Sequence, residues 1–156
     1  MAETLGTLSD KLTIVKLKQW HTEDGERLES LSRQETQLQG EINEFISAAI
    51  AGKIPHEKLT FAANKVYKKE GNETKEIKGS LGEIFSFLAE VNCKLWHVQE
   101  TVYDFEAIPA EEKDSVIKDL AILNLERNNC IDKIPYTFLI KPSLSITFYP
   151  FEYFQL

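Results

Sequence analysis

Long apolar runs are absent from this chain of 156 residues, and its first residues show no basic stretch ahead of an apolar one. A transmembrane helix requires about 20 mainly apolar residues, and a secretion signal requires a basic segment followed by an apolar core. We therefore expect no membrane insertion, no secretion signal and a cytoplasmic location.

An excess of positive charge is also missing. The chain has 18 Lys and Arg residues against 25 Asp and Glu residues, a formal net charge of −7. Nucleic acids and anionic membrane surfaces are bound through basic faces, so we exclude both as general partners. The two cysteines, Cys93 and Cys130, lie in helical patterns. Without a secretion signal they are predicted to be reduced thiols in the core.

Known catalytic signatures are missing as well. The sequence has no Gly-rich phosphate loop, no G-x-S-x-G and no H-E-x-x-H. No nucleophilic side chain has a candidate base near it in sequence. No motif therefore assigns a reaction, and the sequence alone does not decide whether the protein is an enzyme.

Helical periodicity, in contrast, fills most of the chain. Apolar residues recur at helical spacing over 4–31, 32–51, 56–70, 81–106 and 109–134. Gly25 or the segment 30–32 marks a bend between the first two stretches. The polar, glycine-bounded residues 71–79 predict a loop, and Ser80 with Glu83 forms a capping box that starts the next helix.

An internal repeat indicates how these helices are arranged. Residues 4–24 align with residues 80–100 at a constant offset of 76, with seven identities in 21 positions. The identical pairs are Leu5/Leu81, Gly6/Gly82, Leu12/Leu88, Val15/Val91, Lys18/Lys94, Trp20/Trp96 and His21/His97. Two unrelated amphipathic helices would share leucines rather than a Trp-His pair. Because large aromatic side chains dominate core packing, Trp20 and Trp96 are both expected to be buried.

The repeat predicts an all-α fold, a pseudo-symmetric four-helix bundle built from a duplicated helical hairpin. The hairpins span about 4–51 and 80–134, and a short helix and a loop at 52–79 join them. A single helical domain then covers 1–134.

The last segment, 135–156, differs in composition. It holds seven of the 16 aromatic residues, and its charged residues are Lys141 and Glu152. Its prolines at 135, 142 and 150 oppose a long helix. We predict a non-helical aromatic tail that either docks on the bundle or lies outside the ancestral domain, and that offers an apolar surface for a protein partner or for self-association.

A candidate polar site lies on the apolar stripes of the last two predicted helices. Arg127 falls near the centre of one stripe, and Asn92 falls inside the other. A buried guanidinium requires a carboxylate or an anionic ligand, so Arg127 is expected to pair with Glu23, Asp24 or Glu100. The candidate ligand-binding residues are Arg127, Asn124, Asn128, Glu100, His97, Asn92, His21, Asp24 and Glu23.

Three interpretations of this site follow. It is a structural network that fixes helix register, or it is a pocket for a phosphate, sugar or carboxylate with Arg127 as bidentate anchor. The pairs His21-x-x-Asp24 and His97-x-x-Glu100 are similar to ligand pairs of dinuclear metal bundles, although those sites use Glu-x-x-His. We predict no cofactor, and a divalent metal is the weaker alternative.

Segments 92–100 and 123–132 carry a family resemblance. Asn-Cys-Lys-Leu-Trp-His-Val-Gln-Glu and Leu-Asn-Leu-Glu-Arg-Asn-Asn-Cys-Ile-Asp resemble an uncharacterised bacterial helical family with an N-x-x-L-W-H-x-x-E helix followed by an L-N-x-x-R-N-x-x-I-D helix. Residues 12–21 and 64–71 are similar to one of its branches. Members tend to lie near envelope polysaccharide or lipopolysaccharide genes, and none has an established activity. The resemblance implies a helical fold and a role in that pathway, and the chain departs from the pattern after Pro135.

Two functions of different classes are therefore expected. The first is an accessory protein of bacterial envelope-glycan metabolism that binds an anionic sugar or nucleotide. The alternative is a metal-dependent hydrolase of a phosphorylated small molecule. Glu41 and Glu44 form an acidic pair on one helical face, as in helical nucleotide pyrophosphatases, but the sequence offers no convincing second pair.

Overall fold

The computed structural model describes residues 3–61, 70–71 and 74–140, and these residues form helices without any strand. The α-helices are α1 (Leu5–Trp20), α2 (Gly25–Ile50), α3 (Leu81–Tyr103) and α4 (Lys113–Ile140). Short 3-10 turns lie at His56–Lys58 and Phe105–Ala107. The predicted all-α class is confirmed over these ranges. None of the described helices combines the length and the apolar character needed to cross a bilayer.

Two helices begin at reciprocal caps. Ser80 Oγ accepts a hydrogen bond from the Glu83 backbone N–H, and the Glu83 carboxylate accepts one from the Ser80 backbone N–H at 2.7 Å. Thr4 and Thr7 form the same arrangement at the start of α1. Each pair satisfies amides that a helix start leaves without a partner. The capping box predicted for α3 is confirmed.

The first hairpin turns earlier than the periodicity predicted. α1 ends at Trp20, and α2 begins at Gly25. Between them Asp24 acts as the N-cap of α2, accepting a hydrogen bond from the Arg27 backbone N–H at 2.9 Å. Of the two predicted bend positions Gly25 is therefore confirmed, while the first helix predicted over 4–31 is too long, because a strong capping residue overrides the apolar spacing that continues past it.

Helices α1, α3 and α4 form the centre of the molecule. Asn92 of α3 contacts Asp10 of α1, and further along both helices Trp96 packs on His21, so α1 and α3 run parallel. Helix α4 runs antiparallel to them and packs against both. The buried apolar cluster comprises Leu5, Ile77, Ile84, Leu88, Cys130, Ile131 and Ile134.

Helix α2 lies on the outside of this centre. It packs mainly against α1, and Lys16 and Gln19 of α1 both donate to the Glu35 carboxylate of α2. Leu31 is its one fully buried residue among those described. Its last turns pack Ile42, Phe45 and Ile46 against the central cluster. Two open grooves follow each other along the junction of α1 and α2, because the α2 residues that line them share one face of the helix. The arrangement is a bundle of helices, while the duplicated hairpin itself stays a prediction.

Helix α4 continues through a proline, which corrects the predicted helix end. We expected Pro135 to stop the helix, but α4 extends to Ile140, and Pro135 is fully buried. Pro135 has no N–H to donate to the Ile131 carbonyl, and its ring crowds that carbonyl. That carbonyl faces Gly6 of α1 so closely that a Cβ on Gly6 would lie 2.0 Å from its oxygen. The predicted non-helical tail is thus wrong for 135–140, and 141–156 lies outside the described residues.

The two tryptophans of the repeat occupy different environments. Trp20 is 86% exposed at the end of α1, so its predicted burial is wrong. Trp96 is half-buried in the middle of α3. The difference follows from the helix ends, since α1 stops at Trp20 whereas α3 continues to Tyr103. The short helix predicted over 56–70 falls partly on 62–69, which lies outside the described residues.

Candidate functional site

A forked ion pair lies at the junction of α1 and α4. Arg127 Nε donates to Asp10 Oδ1 at 2.8 Å, and Arg127 Nη2 donates to Asp10 Oδ2 at 2.5 Å. The Asp10 side chain is 7% exposed and the Arg127 side chain 31% exposed. Hydrogen bonds to Asp10 raise the pKa of Arg127 above its usual value. Two parallel bonds fix the plane of the guanidinium as well as its position.

Helix α3 completes this network from the interior. Asn92 Nδ2 donates to Asp10 Oδ1 at 3.0 Å and to Thr13 Oγ1 at 2.7 Å. Thr13 Oγ1 in turn donates to the backbone carbonyl of Asp10 at 2.8 Å. Asn92 is fully buried, and no described residue donates a hydrogen bond to its Oδ1. The Asp10 carboxylate accepts three side-chain hydrogen bonds, and burying a charge is favourable only with such compensation.

The network holds Arg127 at the edge of an open cavity, here called the arginine groove. It lies between α1, α2 and α4, has a volume of about 390 Å³, and is lined by Asp10, Lys11, Lys18, Gln37, Glu41 and Arg127 among others. A guanidinium has five N–H donors. Asp10 takes two of them, and no described residue accepts the other three. The arginine groove therefore contains a fixed cation with unused donors.

A second cavity, here called the aromatic groove, follows the arginine groove along the same faces of α1 and α2. It has a volume of about 500 Å³ and is lined by Lys18, His21, Arg27, Leu31, Gln34 and Trp96 among others. Lys18 and Gln34 line both grooves, so the two cavities are neighbours along α1. Lys18 has no acidic partner within salt-bridge distance among the described residues, so its charge is available to a ligand.

Stacked rings form part of the wall of the aromatic groove. The imidazole of His21 stacks on the indole of Trp96, with ring centroids 4.5 Å apart and an interplanar angle of 24°. His21 Nδ1 lies 2.8 Å from the Leu17 carbonyl, which favours the tautomer with the proton on Nδ1. Trp96 Nε1 donates to Glu100 Oε1 at 2.7 Å. These two bonds hold both rings in place.

The structure brings together only some of the predicted site residues. Arg127 and Asn92 both contact Asp10. His21, His97 and Glu100 lie around Trp96 instead. There His97 Nδ1 lies 3.5 Å from Glu100 Oε2. These are two clusters rather than one site.

The expected carboxylate partner of Arg127 is wrong. None of Glu23, Asp24 and Glu100 pairs with Arg127. Asp24 caps the start of α2, and Glu100 accepts a hydrogen bond from the Trp96 indole. Glu23 is exposed. The partner is Asp10, which the sequence analysis did not select.

Asn124 and Asn128 do not join the network either. Asn124 Nδ2 donates to the Leu120 carbonyl at 2.9 Å, and Asn128 Nδ2 donates to the Asn124 carbonyl at 2.6 Å. Both amides therefore bind their own helix rather than Arg127.

The two cysteines differ in environment. Cys130 is buried in the core as predicted, and burial raises the pKa of its thiol to about 12. Cys93 is exposed, so the prediction of a core thiol is wrong there. Within the described ranges, no group of three or more His, Cys, Asp or Glu side chains is arranged to hold a metal ion.

Comparison of the chain with models of known protein families, with curated proteins and with solved structures finds no match. The bacterial helical family suggested by the motifs therefore stays a prediction, and the geometry of the grooves carries the functional argument.

Proposed function

We propose that this protein is an accessory binding protein that holds an anionic sugar or nucleotide in the arginine groove. The observation that carries the proposal is the forked pairing of Arg127 with Asp10. It fixes the guanidinium at the groove and leaves three N–H donors for which the described part of the chain supplies no acceptor. A donor group held in place before binding loses little freedom when a phosphate or carboxylate arrives.

Local charge supports an anionic ligand despite the net charge of −7. The linings of the two grooves together include the cations Lys11, Lys18, Arg27 and Arg127 and the acids Asp10 and Glu41. Arg127 and Asp10 neutralise each other, Lys11 pairs with Glu3 at 2.8 Å, and Arg27 lies 3.8 Å from Asp24. Lys18 lines both grooves and has no acidic partner among the described residues, so it attracts an anion to the place where the grooves meet.

The pathway rests on the resemblance described above. Asn92, Trp96 and Arg127 are positions of the two family motifs, and each contributes to the network or to a groove wall. A role in bacterial envelope-glycan metabolism, where anionic sugars are common intermediates, is consistent with an anion-binding groove. No observation on the described residues favours the metal-dependent hydrolase over binding.

A thermal-shift series with inorganic phosphate, glucose 1-phosphate, glucuronate and UMP tests the proposal. At ten times Kd, a ligand stabilises the native state by about 1.4 kcal/mol, which raises the Tm of a chain this size by about 3 to 5 °C. Lys18→Gln should weaken this response. Lys53→Gln, an exposed lysine beyond α2 and outside both grooves, is the matched control. Binding is refuted if no anion raises Tm, or if both variants respond like the unmodified protein.

A further inference from the structure

The aromatic groove suggests which anionic ligand the arginine groove receives. Its Trp96 indole is half-buried, lines the cavity and is held by Glu100 and the stacked His21 ring. Nucleic-acid bases stack on such held aromatic rings with little regard to base identity, because every base has a π-face. A ring-binding subsite therefore lies beside a cation-lined groove.

The separation of the two ends sets the length of the ligand. The arginine groove is anchored at Asp10, and the aromatic groove at His21, eleven positions further along the chain at the end of α1. A rise of 1.5 Å per residue places these two levels about 16 Å apart along the helix axis. An extended nucleoside diphosphate sugar is long enough to reach both levels.

A cation lies between these two ends. Lys18 lines both grooves and has no acidic partner among the described residues. Its position suits a diphosphate. Arg27 lines the aromatic groove near the start of α2, with the Asp24 carboxylate at 3.8 Å. At the far end, the planar fork of Arg127 matches the two oxygens of a carboxylate.

On the basis of the proposed function, we infer that the ligand is a nucleoside diphosphate joined to an acidic sugar. Its base stacks on Trp96 and His21 in the aromatic groove. Its diphosphate lies at Lys18, and the acid group of its sugar binds the N–H groups of Arg127 that Asp10 does not accept. The two grooves then act as one extended binding site on either side of Lys18.

Tryptophan fluorescence tests the base position, because the chain has two tryptophans. Trp20 is exposed and outside both grooves, so Trp20→Phe leaves Trp96 as the sole reporter. UDP and UDP-glucuronate should quench the emission of this variant. In the matched Trp96→Phe variant, which reports through Trp20 alone, neither should change the emission.

Matched ligands test the acid position. UDP-glucuronate and UDP-glucose differ at the carboxylate, which should strengthen binding about ten-fold through charge-assisted hydrogen bonds. Arg127→Lys keeps the positive charge but not the fork, so it should reduce that ratio towards one. Calorimetric titration measures both affinities.

The outcomes separate this inference from the proposed function. If phosphate or glucuronate binds with dependence on Lys18 but UDP leaves Trp96 emission unchanged, the proposed function stands and the nucleotide inference is overturned. If UDP quenches Trp96 but the carboxylate gives no gain in affinity, the acidic-sugar part is overturned. If no anion binds at all, the proposed function fails together with the inference.

Discussion

Removing the two halves of the buried ion pair should have unequal effects on stability. Arg127→Leu leaves the Asp10 carboxylate in a place where it is 7% exposed, with Asn92 as its remaining side-chain donor. An uncompensated buried charge costs about 3 to 5 kcal/mol. Because the ion pair is partly open to solvent at Arg127, we expect the free energy of unfolding to fall by the low end of this range, about 3 kcal/mol.

The reverse substitution should cost less. Asp10→Leu leaves a guanidinium that is 31% exposed and borders an open groove, so water can solvate its charge. Asn92 keeps Thr13 as an acceptor. The expected loss is about 1 to 2 kcal/mol, close to the cost of unmade hydrogen bonds. The double variant should lose less than the sum of the two, because neither charge is then left alone.

Urea unfolding followed by circular dichroism measures all three free energies of unfolding, and equal slopes with denaturant show that the comparison is valid. Equal losses in the two single variants would refute the asymmetric burial of the pair. A double variant with strictly additive losses would refute the coupling between Asp10 and Arg127 altogether.

Further predictions concern positions where the structure distinguishes similar residues. Gly6→Ala should destabilise the protein by about 1 to 3 kcal/mol, because the new Cβ meets the backbone of α4. Gly82, which aligns with Gly6 in sequence, has open space around it, so Gly82→Ala should stabilise the protein by about 0.5 kcal/mol. Thermal unfolding of the two variants measures both changes. A thiol reagent at pH 8 should modify Cys93 in the native protein but Cys130 only after unfolding. Cys93 is exposed, whereas Cys130 is buried and burial raises its pKa to about 12. Rapid reaction of two thiols in the native protein would contradict this prediction. Asn128→Ala should leave ligand-induced thermal shifts unchanged, because its amide binds its own helix.

The interior positions of α3 and α4 were accessible from sequence. Both helices bury one face, so the apolar stripe points to the core, and polar residues on that stripe must find partners. Asn92 was predicted inside its stripe and is buried, and Arg127 pairs with a buried carboxylate, although not with one of the three acids expected. Its partner was chosen wrongly because pairing across helices depends on their relative registers, which periodicity does not contain.

Asp10 was missed because α1 has two buried sides. On a helical wheel, Asp10 lies roughly 150° from the stripe of Leu8, Leu12 and Val15, which normally marks a solvent-facing position. In the structure α1 is covered by α2 and by the α3–α4 pair, so both faces are occupied. The signal that was present is local: Gly6 and Thr13 are small residues on the face of Asp10, where another helix approaches closely.

The turn after α1 explains why the two identical Trp-His pairs have different environments. After Trp20-His21 the chain reads Thr-Glu-Asp-Gly, whereas after Trp96-His97 it reads Val-Gln-Glu-Thr. Asp24 and the following glycine end one helix and start the next, so the His21 ring leaves the helix and stacks on Trp96. In α3 the chain continues as helix, and Trp96 stays in place to receive that ring. If α1 had continued past Asp24, His21 would have remained on its own helix surface, and the wall of the aromatic groove would lack the stacked pair. The four residues that follow each Trp-His pair therefore decide how the pair is placed, while the Trp-His residues supply the rings of the subsite.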